Sequence, residues 1–315
     1  MKRRNSAAFA ALVLIFCFLP MTYAVESLLD IDVSAAKSPA ELQTVVERLN
    51  AGSLEKMHRN AFTYEFQSTV LKKAGECIDK VVSLHGRVAK GTDEQERSVL
   101  LINREVIKRI LDLNKKILED YQEKLDTVED PLAFFKTPAW RQPEELAATA
   151  CFQLGWNDYY AGLLFPEDDP MGKQLFSEAV ESFSRAFVEA KDDKTVITSL
   201  FGRGLCHRRL KAYKDALKDF KSVKDAVKKD DLMYLRCRYE ETVVASLIGN
   251  FKEVLLNLDE IDREYPAAKI PAEMKTSLKT LRESSLRAIS EKAAEKTENR
   301  PVPSEEPSGK LEEGL

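Results

Sequence analysis

The sequence predicts an all-α protein in which a long helical hairpin is followed by several shorter ones. Its 315 residues include only 12 glycines and 12 prolines, together about 8% of the chain. In an average protein these two helix breakers contribute roughly 12%. Apolar residues recur every three to four positions through most of the chain, which is the spacing of a buried helix face. A 44% hydrophobic fraction excludes a wholly disordered chain. A net charge of −4 lacks the basic excess typical of nucleic-acid-binding domains.

Residues 1–24 have the three-part pattern of a secretory signal peptide. Residues 2–4 are basic, residues 7–19 form an uncharged apolar run, and residues 22–24 end in a small residue at the cleavage position. The run is shorter than the roughly 20 residues that span a bilayer. We therefore expect cleavage and export, to the periplasm if the source is bacterial. Retention of the segment as an uncleaved anchor is the alternative.

After a lead-in over residues 25–40, the sequence predicts a coiled-coil-like helical hairpin over residues 41–128. Residues 91–94 interrupt the pattern and supply a capping residue for the second helix. We expect the two helices to pair within one chain, and homo-oligomerisation through this hairpin is the alternative. The apolar seam of the first helix, at period 3.5, is Val70, Ala74, Cys77, Val81, Leu84 and Val88. The apolar face of the second is Val99, Ile102, Val106, Ile110, Leu113, Ile117, Tyr121 and Leu125.

Prolines mark the boundaries of the second half of the chain. Three of them within about a dozen residues predict a linker over residues 129–143. The last helical segment, residues 268–291, has one apolar side and fits a helix that caps a stack of repeats. Residues 292–315 contain three prolines and few large apolar residues, so we expect a disordered tail.

Residues 200–220, LFGRGLCHRRLKAYKDALKDF, carry a spaced pattern of small and large residues. Gly204 occupies a position for a small residue in the first predicted helix, and Tyr213 begins the second helix. In that second helix the small Ala216 and the large Phe220 lie one turn apart. The segment resembles the tetratricopeptide repeat (TPR), a helix–turn–helix unit of ~34 residues. The resemblance implies that Gly204 and Ala216 let two helices approach closely.

Two flanking segments resemble the same repeat. In the following segment, Gly249 marks the turn between two helices and Pro266 the end of the unit. In the preceding one, residues 162–173 are longer than the turn of the family. The resemblance covers residues 144–267 and implies a short α-solenoid of about three units. The matching residues of the preceding segment are Leu154, Gly155, Phe176, Ala179, Phe183 and Ala186.

In the TPR family, one face of each first helix lines an inner surface on which extended peptides dock. Carried over by position, the resemblance implies a partner-binding site of Phe152, Trp156, Tyr159, Tyr160, Phe201, Leu205, Arg208, Arg209 and Tyr239. Aromatic residues and arginine are enriched at protein interfaces. Phe201 and Leu205 replace the Lys and Asn of TPRs that clamp a C-terminal carboxylate, so the resemblance does not imply that ligand. Burial of Trp156 and Tyr159 under residues 162–173 is the alternative.

The cysteines and histidines give no sign of catalysis. Disulfide formation needs Cα atoms within ~7 Å, and the helical positions of Cys77, Cys151, Cys206 and Cys237 predict buried free thiols, with pairing of Cys77 as the alternative. The histidines, His58, His85 and His207, stand singly, and no metalloprotease, hydrolase or phosphate-loop motif occurs. We expect no catalytic, cofactor-binding or metal-binding residues.

Together these features predict an exported, non-catalytic TPR scaffold or adaptor that binds a partner protein or peptide in the cell envelope. No membrane span is expected after signal cleavage. The alternative is a carrier that encloses a small apolar ligand or lipid between its helices, as a component of a transport system.

Overall fold

The computed structural model describes residues 30–58, 62–85 and 93–298, and within these ranges it contains eleven α-helices and no strand. The all-α prediction is therefore confirmed for the described residues. The predicted signal peptide, residues 1–24, lies outside them, as does the end of the predicted tail, residues 299–315. The helices are α1 (Pro39–His58), α2 (Tyr64–Leu84), α3 (Asp93–Gln122), α4 (Pro131–Phe134), α5 (Pro138–Leu163), α6 (Pro170–Glu189), α7 (Asp193–Arg209), α8 (Tyr213–Ala226), α9 (Leu232–Leu247), α10 (Phe251–Glu264) and α11 (Ala272–Glu298).

The chain divides into two compact units, one that ends at Leu210 and one that begins at Lys211. The first unit contains α1–α7 and the second contains α8–α11. The boundary falls inside the central TPR-like segment: Gly204 is buried in α7 and Ala216 is buried in α8. Each unit has a hydrophobic core of its own.

The core of the first unit is built mainly by α1, α2, α3 and α5. Helix α2 packs against α3, α1 packs against both of them, and α5 also packs against both. The first four residues of the seam predicted along α2 are buried in this core. The apolar face of α2 is therefore covered by other helices of the same chain. These residues are Val70, Ala74, Cys77 and Val81.

Helix α5 begins inside the segment that the sequence marks as a linker. Its first residue is Pro138, and it contains Pro143. A proline in the first turn costs little, because the backbone N–H that it lacks has no helical partner there. Pro143 removes one helical hydrogen bond but is buried, and packing of the buried face provides most of the stability of a helix. The linker predicted over residues 129–143 is therefore wrong from Pro138 onwards.

Phe183 of α6 fills the space between α5 and α7. An added Cβ at Gly155 would lie 2.7 Å from its Cδ1 atom, and one at Gly202 would lie 2.5 Å from its Cζ atom. An added Cβ at Gly162 would likewise lie 2.8 Å from Cε1 of Phe176. These distances are shorter than van der Waals contact, so glycine is required for the helices to come this close. Close approaches therefore occur at Gly155, which matches a small position of the TPR pattern, and at Gly202.

In the second unit, α9 packs against α8, α10 and α11. Gly249 lies between α9 and α10 with a φ of 75°, a conformation that favours glycine, and the predicted turn is confirmed. Helix α11 continues to Glu298, because residues 291–298 are rich in the strong helix formers Ala, Glu and Lys. The prediction of disorder is therefore wrong for residues 292–298. The core of this unit includes Leu235, Val254, Leu258, Ile261 and Leu278.

Candidate functional site

The aromatic residues of α5 form a cluster with two phenylalanines of α6. The ring of Trp156 stacks on Tyr160 with centroids 5.8 Å apart and meets Phe183 edge-on at 5.1 Å. Tyr159 lies 6.0 Å from Phe176. Edge-on and offset ring contacts of this kind stabilise packing by about 0.5–1.5 kcal/mol beyond area burial. The cluster therefore joins α5 to α6.

The structure divides the nine predicted partner-binding residues by exposure. Phe152, Trp156, Tyr160, Arg208 and Tyr239 are half-buried, and Arg209 is exposed. Tyr239 belongs to the second unit and packs against the core of that unit. Tyr159, Phe201 and Leu205 are buried, with exposed fractions of 6%, 8% and 6%. Little of these three side chains is therefore accessible to a partner, and their part in a binding site stays a prediction.

The buried position of Tyr159 follows from the number of helices around α5. Helix α5 packs against α2, α3, α6 and α7, so little of its circumference remains for a partner. The predicted insert, residues 162–173, forms the end of α5, a short loop and the start of α6. The ring of Tyr159 contacts Phe176, which lies beyond that insert in α6. Ordinary helix packing therefore buries this side chain.

An open cleft of about 430 Å³ lies between the first half of α5 and the junction of α6 with α7. We call it the acidic cleft. Helix α5 contributes the apolar surface of Ala148 and Phe152 and the exposed side chain of Thr149. Phe152 is the one residue of the predicted site that lines it. The charged lining residues are Arg141, Glu144, Glu145, Glu189, Lys191 and Asp192.

Two of the carboxylates in the acidic cleft are held by partners. Glu144 forms an ion pair with Lys191, which joins α5 to the α6–α7 junction. The Oε2 atom of Glu145 accepts a hydrogen bond of 3.1 Å from the hydroxyl group of Tyr64 in α2. These contacts fix the orientation of both carboxylates while leaving lone pairs for a ligand.

The other two carboxylates differ in their electrostatic setting. Asp192 caps α7 by accepting a 2.8 Å hydrogen bond from the backbone N–H of Thr195, which lowers the pKa of Asp192. Burial raises the pKa of Glu189, and a positive charge brought into the cleft would stabilise its ionised form. With four carboxylates and two cations, the cleft favours a cationic ligand.

A buried polar network lies where α3 and α5 meet. The Nδ2 atom of Asn103 donates 3.0 Å to Oδ1 of Asn157. The Nε atom of Arg104 donates 3.0 Å to Oδ1 of Asp158, and Arg104 also pairs with Glu178 of α6. Asp158 is fully buried, and burial raises its pKa to about 7. The network therefore links α3, α5 and α6. Sequence periodicity did not indicate it, because Asn157 and Asp158 are an isolated polar pair in an apolar pattern.

The cysteines are structural. All four described cysteines are free and buried, so the predicted free thiols are confirmed and the alternative of a disulfide at Cys77 is wrong. Burial raises the pKa of Cys77 and Cys237 to about 12 and that of Cys151 to about 11. Thiols of this kind remain protonated at neutral pH and react slowly.

One histidine is less isolated than its sequence position indicates. His85 lies beside Asp93 and Glu96, and the potential metal-ligand atoms of the three side chains are within 4.8 Å of one another. Among the described residues, these three side chains have potential ligand atoms close enough together to hold one metal ion. Sequence spacing did not indicate this group, because His85 follows α2 whereas Asp93 and Glu96 lie in α3. Residues 86–92 separate the two parts in the chain.

Within the described ranges, no helix combines the length and the apolar character needed to cross a bilayer. Comparison with protein-family models, with curated proteins and with solved structures finds no match to the chain. The chemistry of the acidic cleft is therefore inferred from its own residues.

Proposed function

We propose that this protein is an exported, non-catalytic scaffold of TPR-like repeats that binds an extended segment of a partner protein. The observation that carries the proposal is the acidic cleft of about 430 Å³. Its walls come from α5 and from the start of α7, which correspond to the first helices of two consecutive repeats. The TPR resemblance implies docking on an inner face of the first helices, and Phe152 is the residue of that implied face that lines the cleft.

Helix packing in the first unit supports a stack of repeats. Helix α5 packs against both α2 and α3, and α7 packs against both α5 and α6. This is the arrangement expected when each helical hairpin stacks on the previous one and contacts its neighbours alone. On this proposal, α2–α3 is the first layer of the stack and α5–α6 is the second, so the N-terminal hairpin belongs to the solenoid.

The cleft favours a partner segment that carries Lys or Arg next to an apolar residue. A long basic side chain lays its hydrocarbon stem on apolar surface while its charged end remains among polar groups, and Phe152 and Ala148 offer such surface beside four carboxylates. Complementary charge of this kind gives specificity and speeds association. Binding should therefore weaken as salt concentration rises.

Site-specific photo-crosslinking tests the proposal. A photo-reactive amino acid is placed at Thr149, which is exposed in the acidic cleft, and at the exposed Thr280 of α11 as a control. We expect crosslinks in the native envelope from Thr149 to a defined partner protein, at a segment that contains Lys or Arg. The control position should not capture that partner.

The matched pair Thr149→Arg and Thr280→Arg then tests the cleft by charge. Arginine at Thr149 occupies the cleft and neutralises part of its negative charge, so capture of the crosslinked partner should fall at least about tenfold, or about 1.4 kcal/mol of binding. Thr280→Arg should leave capture unchanged, and circular dichroism should show both variants folded. Equal capture by both variants would contradict binding of the partner in the acidic cleft. A small ligand retained by the purified protein in native mass spectrometry would contradict the scaffold and favour the carrier.

A further inference from the structure

The end of α2 and the start of α3 bring together a histidine and two carboxylates. His85 immediately follows α2, and Asp93 and Glu96 lie in the first turn of α3. The Nδ1 atom of His85 is 2.7 Å from Oε2 of Glu96, and a ligand atom of Asp93 completes a group within 4.8 Å. None of these residues lines the acidic cleft.

Local structure fixes the backbone of the three residues. The backbone N–H of His85 donates a 2.9 Å hydrogen bond to the carbonyl oxygen of Val81, which fixes the residue against the last turn of α2. Asp93 and Glu96 are three positions apart and therefore share one face of α3. The cluster is a product of the α2–α3 packing.

Burial differs between the three residues in a way that suits metal binding. The side chain of Glu96 is 1% exposed, whereas that of His85 is 57% exposed and Asp93 lies at the surface. The carboxylate of Glu96 is therefore held in the core, and the more exposed side chains of His85 and Asp93 have room to move towards it.

We propose that His85, Asp93 and Glu96 bind one Zn²⁺ ion. Zinc takes imidazole nitrogen and carboxylate oxygen at roughly 2.0–2.2 Å, and three protein ligands leave a fourth position for water. Tetrahedral bonds of that length place ligand atoms about 3.3 Å apart. The His85–Glu96 pair, now 2.7 Å apart, therefore opens by about 0.6 Å while Asp93 moves inwards. The imidazole nitrogen favours zinc over magnesium or calcium, which prefer oxygen ligands alone.

Binding exchanges a proton for the metal ion. Zinc takes the place of the hydrogen that lies between Nδ1 of His85 and Oε2 of Glu96. The bound ring is a neutral imidazole: Nε2 carries its one hydrogen, Nδ1 gives its lone pair to zinc, and a second ring proton, where the ring holds one, departs to solvent. The ion then joins the end of α2 to the start of α3. Because it binds the folded chain and not the unfolded one, zinc raises the melting temperature.

Isothermal titration calorimetry with ZnCl₂ tests the site on the full mature chain, produced without a polyhistidine tag and stripped with a chelator. We expect one ion per chain, and a loss of affinity of at least about tenfold in His85→Ala and in Asp93→Asn. Glu94→Gln is the matched control, since Glu94 is an exposed carboxylate in the same turn that is outside the cluster. Its affinity should equal that of the wild type.

Cobalt and magnesium provide two further readouts. Co²⁺ in the site should give the visible absorption of a four-coordinate ion, and His85→Ala should lose it. MgCl₂ should leave the melting temperature unchanged, whereas ZnCl₂ raises it. The proposal is overturned if the wild type does not bind zinc at millimolar concentration, or if His85→Ala and Asp93→Asn bind it as tightly as Glu94→Gln, which would indicate a His–Glu ion pair with adventitious surface binding.

Discussion

Replacement of Asp158 by asparagine is expected to remove a pH dependence from the folding stability of this protein. Burial raises the pKa of Asp158 from 3.8 to about 7, against the opposing charge of Arg104. The other ionisable groups that face it are Glu178 on α6 and Cys206 on α7. The folded state therefore holds the proton of Asp158 in a pH range where the unfolded chain has already released it.

The sign of the effect follows from proton linkage. Where the folded state binds more protons than the unfolded state, the free energy of unfolding falls as pH rises. The stability that Asp158 contributes is fully present below about pH 4 and is lost as pH rises to about 7. The complete shift corresponds to about 4 kcal/mol, and roughly half of it is lost between pH 5 and pH 8.

Urea unfolding at pH 5 and pH 8 measures this difference directly. We compare wild type, Asp158→Asn and, as a control, Asp112→Asn, which changes an exposed aspartate of α3. The stability of Asp158→Asn relative to wild type should be higher at pH 8 than at pH 5 by about 2 kcal/mol. Asp112→Asn should show no such change. An unchanged or opposite difference for Asp158→Asn would show that Arg104 holds the carboxylate ionised and that the argument from burial is wrong.

Two more predictions test the packing. Gly155→Ala should destabilise the fold by about 1–3 kcal/mol in urea unfolding, because its Cβ would overlap the buried ring of Phe183. Gly75→Ala is the matched control: its Cβ would lie 3.0 Å from the amide end of the flexible Gln153 side chain, so it should be neutral or stabilising, and equal costs would contradict the packing of Phe183. Alkylation of the unreduced protein, followed by mass spectrometry, should modify the four described cysteines after unfolding and leave them unmodified when folded. Two cysteines that stay unmodified after unfolding because a disulfide joins them would contradict the assignment of free thiols.

Local features of the sequence predicted the helical regions and several of their contacts. Gly155 indicated a close approach of two helices, because a residue without Cβ leaves room for a neighbouring side chain next to the backbone. The ring of Phe183 lies at that position. The turn at Gly249 was equally local, since its φ of 75° favours glycine. The linker boundary failed at Pro138 and Pro143, where packing of a whole helix outweighed two local breaker signals.

The candidate site was harder to predict, because exposure depends on the number of neighbours that a helix has. The nine aromatic, apolar and arginine residues share the helical spacing of a binding face, yet Tyr159 and Phe201 are buried. Periodicity identifies a face but not what covers it. Most residues of the acidic cleft were missed, because α5 and the α6–α7 junction meet only in three dimensions.

The sequence by itself determined that the chain is helical, that its thiols are not in register for disulfides, and that a few glycines mark close contacts. These properties depend on residues near one another in the chain or on single side-chain volumes. The tertiary structure alone decided that Asp158 is desolvated, that His85 meets Glu96, and that Thr149 faces an acidic cleft. Solvation and charge act through space, so the packed helices set them.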